Sequence, residues 1–248
     1  MEWRGPCTAP SSGKAPFKRT IVHRSSLVKV PLETPPDLLA PLGCGIQTGV
    51  GSRLNTLDVK PGSSLAVFGV GSVGLAAVMA GKARKASTII AIDLQPKRLK
   101  LTKEVGATHD VLGPDQEHII KTIQDICPRL GVDYAVDCTG VPSIIETMVA
   151  ALGMRGISAT VDASGGGSHA KTNIMGHLFN GKEYVVCTEG DSNPEVLISQ
   201  LIEMHSQGLL PLEKLIGYYD MKDHEKAMTD MKSGRVIKPV LRWTEEQK

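Results

Sequence analysis

The feature that most constrains the fold of this chain is a glycine-rich turn at residues 69–74, GVGSVG. The apolar run SSLAVFG (63–69) leads into the turn and is typical of a buried strand, whereas VGLAAVMAGKARK (73–85) is rich in helix formers. The uncharged stretch 61–81 is long enough for a membrane-spanning helix, but its glycines divide it into two elements. We therefore expect a strand, a turn and a helix, and no membrane span.

Strand-like and helix-like segments alternate through the centre of the chain. Repeated β-α-β units with nearly continuous apolar strands predict a doubly wound α/β fold, in which helices cover both faces of a parallel sheet. The further segments are strands at 87–93, 110–112, 132–140, 156–163 and 183–188, with helices at 96–105 and 115–127 and a third after residue 140.

The two ends of the chain differ from this centre. The N-terminal end contains one predicted strand, RTIVHRSSLVKV (19–30). Beyond Gly190 we predict a helix that opens at Asn193 and Pro194, followed by a strand, a helix and a last strand. We therefore expect three parts, at 1–45, 46–188 and 189–248.

Composition narrows the range of partners and compartments. The formal net charge of +2 gives no reason to expect a nucleic-acid partner. The five cysteines are widely spaced without a C-x-x-C pair, which argues against a disulfide framework or a structural zinc site and favours a reducing, cytoplasmic setting. The first residues lack the apolar core of a secretory signal.

Gly69, Gly71 and Gly74 form the pattern G-x-G-x-x-G, and Asp93 ends the next predicted strand. In this context the first glycine permits a tight turn, the second lets the backbone approach a pyrophosphate, and the third allows the helix to pack on the sheet. Asp93 can accept hydrogen bonds from ribose hydroxyls and would repel a 2′-phosphate, which favours NAD over NADP. The alternative is a tight βα turn that binds no ligand.

Arg98 lies one turn into the helix after Asp93 and is within reach of the same ribose or a phosphate. The alternative interpretation is a solvated helix face, because Lys97, Lys100 and Lys103 surround it.

Cys44 stands between two glycines in the uncharged stretch APLGCGIQTGVG (40–51). A thiol there could be small core filler, a nucleophile or a metal ligand. Nucleophilic catalysis is disfavoured because no histidine lies nearby in sequence to activate the thiol.

Several motifs of the chain, in this order and spacing, resemble the zinc-dependent medium-chain alcohol dehydrogenases, and among them most closely the aryl (benzyl) alcohol dehydrogenases. The resemblance covers about residues 17 to 243. The motifs are LLAPLGCGIQTGVG, VFGVGSVGL, IIAIDLQPKRLKLTKEVGATH, VDYAVDCTG, EGDSNP and SGRVIKPVLR.

The resemblance implies a Rossmann NAD-binding domain, with remnants of a second, GroES-like catalytic domain at both ends. It also implies NAD and zinc as cofactors, a small alcohol or aldehyde substrate, and a homodimer formed through the sheet edge at Tyr184 to Thr188. The implied site residues are Cys44 as the third catalytic zinc ligand, Thr48 near the nicotinamide, Gly71, Ser72 and Val73 around the pyrophosphate, Cys138 and Thr139 beside the adenosine ribose, and Lys238 at the pyrophosphate.

The chain departs from the family pattern most clearly in its metal ligands. A catalytic zinc needs three protein ligands, and neither the upstream cysteine nor the G-H-E histidine of the family is present. Asp162 stands where the family usually places a glycine close to the nicotinamide, and Val186 replaces a glycine on the strand at the dimer interface.

Two principal hypotheses about function follow. The first is an NAD-dependent oxidoreductase that interconverts aromatic or primary alcohols and aldehydes, impaired because two zinc ligands are absent. The second is a non-catalytic NAD-binding protein. A third, less favoured hypothesis is an improvised zinc site built from Cys7, His23 and Cys44, whose surroundings lack supporting carboxylates near His23.

Overall fold

The structure is a computed structural model that describes residues 22–127, 131–162, 165 and 167–243. The chain divides into two compact units. The central unit runs from Thr48 to Asp191, and the flanking unit combines the described residues of Met1–Gln47 and Ser192–Lys248.

The central unit is built on a six-stranded sheet in the order β3-β2-β1-β4-β5-β6, in which every neighbouring pair is parallel. This order confirms the predicted doubly wound α/β fold of the Rossmann type. The strands are β1 (Ser64–Phe68), β2 (Thr88–Asp93), β3 (His109–Leu112), β4 (Val132–Asp137), β5 (Leu152–Thr160) and β6 (Glu183–Val186), with β7 (Ile216–Asp220) and β8 (Lys238–Arg242) in the flanking unit.

An α-helix connects each strand of the central sheet to the next one along the chain, and shorter π-helical and 3-10 turns occur elsewhere. The helices are α1 (Pro36–Leu39), α2 (Gln47–Gly51), α3 (Ser72–Ala83), α4 (Pro96–Val105), α5 (Gln116–Ile126), α6 (Pro142–Ala150), α7 (Ile174–Asn180), α8 (Pro194–Ser206) and α9 (His224–Lys232). Two π-helical turns lie at Leu42–Ile46 and Ser52–Thr56, and 3-10 turns lie at Arg24–Ser26, Leu212–Lys214 and Met221–Asp223.

The sheet is buried on both faces, which explains why its central strands are apolar without alternation. On one face Ala66 and Phe68 pack with residues of α5 and α6, such as Ile119 and Met148. On the other face Leu65 lies against α3, and all of these side chains are fully buried. Strands covered on both sides have no polar position, so the hydrophobic run of β1 follows directly from its place in the sheet.

In the flanking unit, β7 and β8 form a parallel two-stranded sheet. Helix α9 is fastened to β7 by the buried carboxylate of Asp230, which accepts hydrogen bonds from Tyr219 Oη (3.0 Å), Lys226 Nζ (3.0 Å) and Arg235 Nη1 (2.6 Å). The predicted start of α8 is confirmed, since the Asn193 side chain accepts a hydrogen bond from the Glu195 amide.

The strand predicted over 19–30 is wrong for its described part. Residues 22–30 form a 3-10 turn at Arg24–Ser26 followed by irregular backbone. A strand requires a hydrogen-bonded partner strand, and within the described ranges this segment pairs with none. Residues 19–21 lie outside the described residues.

The prediction that 61–81 does not span a membrane is confirmed, because this stretch forms β1, the glycine turn and most of α3. Among the described helices, none has the length and apolar character needed to cross a membrane.

Gly74 determines how closely α3 approaches β1. A Cβ atom at this position would lie 2.0 Å from the Gly69 carbonyl oxygen and 3.3 Å from Val67 Cγ1. Both atoms belong to the strand and its turn, so the space cannot be opened without moving backbone.

We therefore expect Gly74→Ala to lower the free energy of unfolding by about 1–3 kcal/mol through overpacking. Urea denaturation of the wild type and the variant measures the difference. An unchanged free energy of unfolding would show that α3 does not pack this closely on β1.

Candidate functional site

The glycine turn joins β1 to α3 at the carboxyl edge of the parallel sheet. Gly69 has a positive φ of 83°, and a Cβ there would lie 2.6 Å from Thr139 Cγ2. Its amide donates to the Ile92 carbonyl oxygen at 2.8 Å, which ties the turn to the neighbouring strand β2. Gly69 and Gly74 are thus both required by the fold itself.

Gly71 differs from the other two glycines because nothing among the residues that the structure describes requires it to be small. Its φ of −73° suits any residue, and a Cβ at Gly71 would meet no atom of those residues within 4 Å. Gly71 is the N-cap of α3, where no side chain caps the amides of the first turn. The open space therefore lies at a helix N-terminus, where unpaired N–H groups and the helix dipole favour an anion.

Ser72 and Val73 form the first turn of α3 and are half-buried beside this open space. Their amides belong to the orphan donors of the helix N-terminus. The structure thus places the predicted pyrophosphate contacts Gly71, Ser72 and Val73 at one helix end.

Asp93 ends β2, and its carboxylate is held in one orientation by the backbone. Oδ2 accepts from the Val70 amide and Oδ1 from the Gln95 amide, both at 2.8 Å. The side chain is 6% exposed, and Arg98 Nη1 lies 3.8 Å from Oδ2. Each carboxylate oxygen accepts one backbone hydrogen bond and keeps a lone pair for a further donor.

Arg98 is not simply a residue of a solvated helix face. Its side chain is 26% exposed, and its buried Nε has no hydrogen-bond partner among the residues that the structure describes. The guanidinium therefore lies beside the Asp93 carboxylate with donor capacity left over.

Cys138 and Thr139 follow β4 and adjoin the glycine turn. The Cys138 amide donates to the Phe68 carbonyl oxygen at 2.8 Å, and Thr139 touches the position of Gly69. Burial raises the pKa of the Cys138 thiol far above its ordinary value. Cys138 is therefore a neutral thiol at physiological pH and is not activated as a nucleophile.

Asp137, which the sequence analysis did not single out, organises this loop. Its carboxylate accepts hydrogen bonds from the Thr139 amide (3.0 Å), the Thr139 hydroxyl (2.6 Å) and the Gly140 amide (3.1 Å). Burial raises the pKa of Asp137, while these hydrogen bonds act in the opposite direction. Its sequence context, VDYAVDCTG, resembles an ordinary strand end and carried no signal for this role.

Thr48 lies in α2, buried, and its hydroxyl donates to Glu189 Oε2 at 3.4 Å. Glu189 follows β6 and has a positive φ of 51°. Sequence reasoning also missed Glu189 and the buried Arg53, because contacts between α2 and the loop after β6 join segments about 140 residues apart.

The remaining predicted residues, Cys44 and Lys238, belong to the flanking unit. Cys44 is exposed in the π-helical turn Leu42–Ile46, and Lys238 is half-buried in β8. Within the described ranges, no group of three or more histidine, cysteine or acidic residues could hold a metal ion. The described residues therefore do not fit a three-ligand zinc centre. Cys7 lies outside the described residues.

Comparison with known proteins defines the class. Residues 72–204, just over half of the chain, match the zinc-binding dehydrogenase family. The chain belongs to the zinc-binding dehydrogenase family.

Individual relatives are alcohol dehydrogenases, which confirms the predicted resemblance. Geraniol dehydrogenase of Castellaniella defragrans is 33% identical over 92% of this chain and 61% of that protein. The structure of benzyl alcohol dehydrogenase from Acinetobacter calcoaceticus is 37% identical with a TM-score of 0.85, over 89% of this chain and 60% of that one. An alcohol dehydrogenase zinc-binding domain protein from Burkholderia ambifaria is 41% identical, also with a TM-score of 0.85, over 89% and 59%. The chain spans about 60% of the length of these relatives.

Gly71 differs from Gly69 and Gly74 in its surroundings, so substitution of single glycines can test whether the turn binds a ligand. Gly71→Ala is expected to weaken NADH binding at least about tenfold, because the added methyl group would occupy the space that a pyrophosphate needs. Its free energy of unfolding should change by less than about 1 kcal/mol, since no protein atom meets the methyl group.

Fluorescence titration with NADH and urea denaturation together measure both quantities, and Gly74→Ala serves as the variant that loses stability instead. Undiminished NADH affinity in a folded Gly71→Ala protein would contradict a pyrophosphate site at this turn.

Proposed function

We propose that the central unit binds the dinucleotide NAD at the carboxyl edge of its sheet. The observation that carries the proposal is the open space at Gly71, at the N-terminus of α3 and close to the oriented carboxylate of Asp93. A glycine that the protein does not need to be small, at a helix end without a side-chain cap, is explained by the close approach of a phosphate.

In this proposal, the first turn of α3 donates hydrogen bonds to the pyrophosphate, and Asp93 accepts them from the adenosine ribose. The backbone holds the Asp93 carboxylate with one lone pair of each oxygen available. A 2′-phosphate at the same place would face this carboxylate, which supports NAD over NADP. The position of Arg98, 3.8 Å from Asp93, supports a role at the same ribose or the adjoining phosphate.

The other half of the dinucleotide would lie over the ends of β4, β5 and β6, because the two halves of this fold each bind one nucleotide across the point where the strand order reverses. Thr48, whose hydroxyl donates to Glu189 after β6, lies at that edge of the central unit. Cys138 and Thr139 adjoin the glycine turn, which supports their proposed place beside the adenosine ribose. Bound NAD+ supplies a hydride acceptor at C4 of the nicotinamide.

A second candidate function is the interconversion of small aromatic or primary alcohols and aldehydes. Its support is the benzyl alcohol and geraniol dehydrogenases among the relatives, and the place of Cys44 in the family motif. The described residues do not fit a zinc centre, so we propose NAD binding with little or no turnover. We also propose that the flanking unit corresponds to the family's second domain and that the protein resides in the cytoplasm.

Binding and catalysis can be separated on one preparation of the protein. We expect NAD+ and NADH to bind with micromolar affinity by calorimetry, and NADP+ to bind at least about tenfold more weakly because of charge repulsion at Asp93. Elemental mass spectrometry with NAD present is expected to find no stoichiometric zinc, and benzyl alcohol should produce no NADH.

The alternatives give different results. About one zinc per chain, lost in Cys44→Ser and accompanied by oxidation of benzyl alcohol, would establish the alcohol dehydrogenase instead, since one three-ligand site holds one metal ion. A protein that binds neither NAD+ nor NADH would refute the proposed cofactor site.

We further propose that the protein forms a homodimer through the sheet edge at Tyr184 to Thr188. Strand β6 is an edge strand, on which Tyr184 and Val186 are exposed. Exposed edge strands with large apolar side chains can pair with another copy. Helix α7 adds a second group of exposed apolar side chains, namely Ile174, Met175, Leu178 and Phe179.

We expect Val186→Lys to convert the dimer to a monomer at micromolar concentration, because a charge on the edge strand opposes pairing with its own copy. Light scattering measures the mass. Val196→Lys, at an exposed valine on α8, is the matched control and should remain dimeric. A monomeric wild type would rule out the proposed interface.

A further inference from the structure

Arg53 is a buried cation that the proposed cofactor contacts do not use. It lies in the π-helical turn Ser52–Thr56 and is 0% exposed. Its Nε and Nη2 donate to the Ser52 hydroxyl at 3.4 and 3.2 Å, both long hydrogen bonds. Nη1 has no hydrogen-bond partner among the described residues. A fully buried guanidinium with a single neutral acceptor is unusual, because burying a charge is costly unless it is paired.

The environment of Arg53 does not neutralise it. Burial lowers the pKa of the guanidinium to about 10, and the nearby Cys138 and Cys187 would raise this pKa only in their ionised form. Burial also raises the pKa of both thiols, so they are neutral near pH 7. Arg53 therefore retains its positive charge at physiological pH, and among the described residues no anionic side chain is in contact with it.

The π-helical turn that carries Arg53 lies against the loop after β6, because Asn55 Nδ2 donates to the Gly190 carbonyl oxygen at 2.9 Å and the Thr56 hydroxyl donates to Asp191 Oδ2. The two thiols near Arg53 lie at the ends of strands on the same side of β1. Cys138 directly follows β4 and Cys187 directly follows β6. The guanidinium thus lies near the carboxyl ends of β4 to β6. In the strand order, β1 separates these strands from β2, which carries Asp93. In a doubly wound fold that carries adenosine over the β1–β3 half, this edge faces the second nucleotide.

Four acidic residues also lie around this edge, and among the described residues none of them forms a hydrogen bond or ion pair with Arg53. Asp137 accepts hydrogen bonds from its own loop, Glu189 accepts one from Thr48, and Asp191 accepts one from Thr56 at 2.7 Å. Asp162 is exposed, and its negative charge raises the pKa of Cys138 and the pKa of Asp137.

We propose that Arg53 is a specificity-determining residue that makes the site favour the reduced dinucleotide over the oxidised one. The inference rests on the proposed NAD site. The nicotinamide ring of NAD+ carries a positive charge and that of NADH carries none, so the buried cation of Arg53 at this edge of the sheet contributes a repulsion that acts on NAD+ alone. The effect needs no contact, because charge interactions in a buried environment are weakly screened.

The test compares the affinities of NADH, NAD+ and ADP-ribose, which lacks the nicotinamide ring, in the wild type and in variants. Arg53→Met removes the charge and keeps much of the volume. It should improve NAD+ binding relative to NADH about tenfold and leave ADP-ribose binding unchanged. Arg53→Lys retains the charge and should keep the wild-type ratio within about threefold.

A matched control removes the same charge from the opposite edge of the sheet. Arg84 follows α3 at its C-terminal end and donates to the Val59 carbonyl oxygen and to Asp58. Arg84→Met is expected to leave the ratio of NADH to NAD+ affinity unchanged. A shift as large as that of Arg53→Met would mean that the protein's overall charge sets the ratio, which would overturn the inference.

The outcomes separate this inference from the proposed function. If the wild type binds none of the three ligands, the NAD site itself is wrong. If all three bind and neither Arg53→Met nor Arg53→Gln shifts the ratio, the NAD site stands and the role of Arg53 is refuted.

Should both neutral variants fail to fold, the wild type still decides. The pyridinium charge should then prevent NAD+ from binding more tightly than ADP-ribose, and NAD+ binding that is more than about tenfold tighter would refute the inference.

Discussion

The close packing of α3 on β1 is the constraint on which the central unit depends. Gly74 brings the helix against the backbone of Gly69, and the positive φ of Gly69 turns the chain sharply enough to allow it. The same contact places the uncapped N-terminus of α3 at the carboxyl edge of the sheet, where Gly71 leaves open space. A packing requirement thus positions a ready-made anion site, so stability and ligand binding depend on different glycines of one turn.

Two aspartates at strand ends perform related tasks at this edge. Asp93 holds the glycine turn and the start of the next loop through two backbone amides, and Asp137 holds the loop of Thr139 and Gly140. In each case a buried carboxylate substitutes for the backbone partners that the turning chain has lost. The loops that line the proposed nucleotide site are therefore pre-organised by hydrogen bonds within the protein.

The two halves of the proposed site differ in electrostatic character. The half on β2 has the carboxylate of Asp93, whereas the half on β4 to β6 has the buried guanidinium of Arg53, which has no ionic partner among the described residues. Burying such a charge destabilises the folded protein, and its proposed role is to act on the nicotinamide ring of the bound dinucleotide. Among the described residues, Cys44 belongs to no group of three side chains that could hold a metal ion.

The local sequence pattern was sufficient to predict the doubly wound fold, the glycine turn and the position of Asp93 at a strand end. Apolar periodicity and motif spacing are properties of short segments, so they can be recognised without the tertiary structure. The same local information predicted a strand over 19–30 that did not form in its described part, since a strand exists only with a partner. The roles of Asp137, Glu189 and Arg53 follow from the tertiary structure alone. Their roles arise from burial and from contacts between distant segments, and neither property can be read from the residues next to them in the chain.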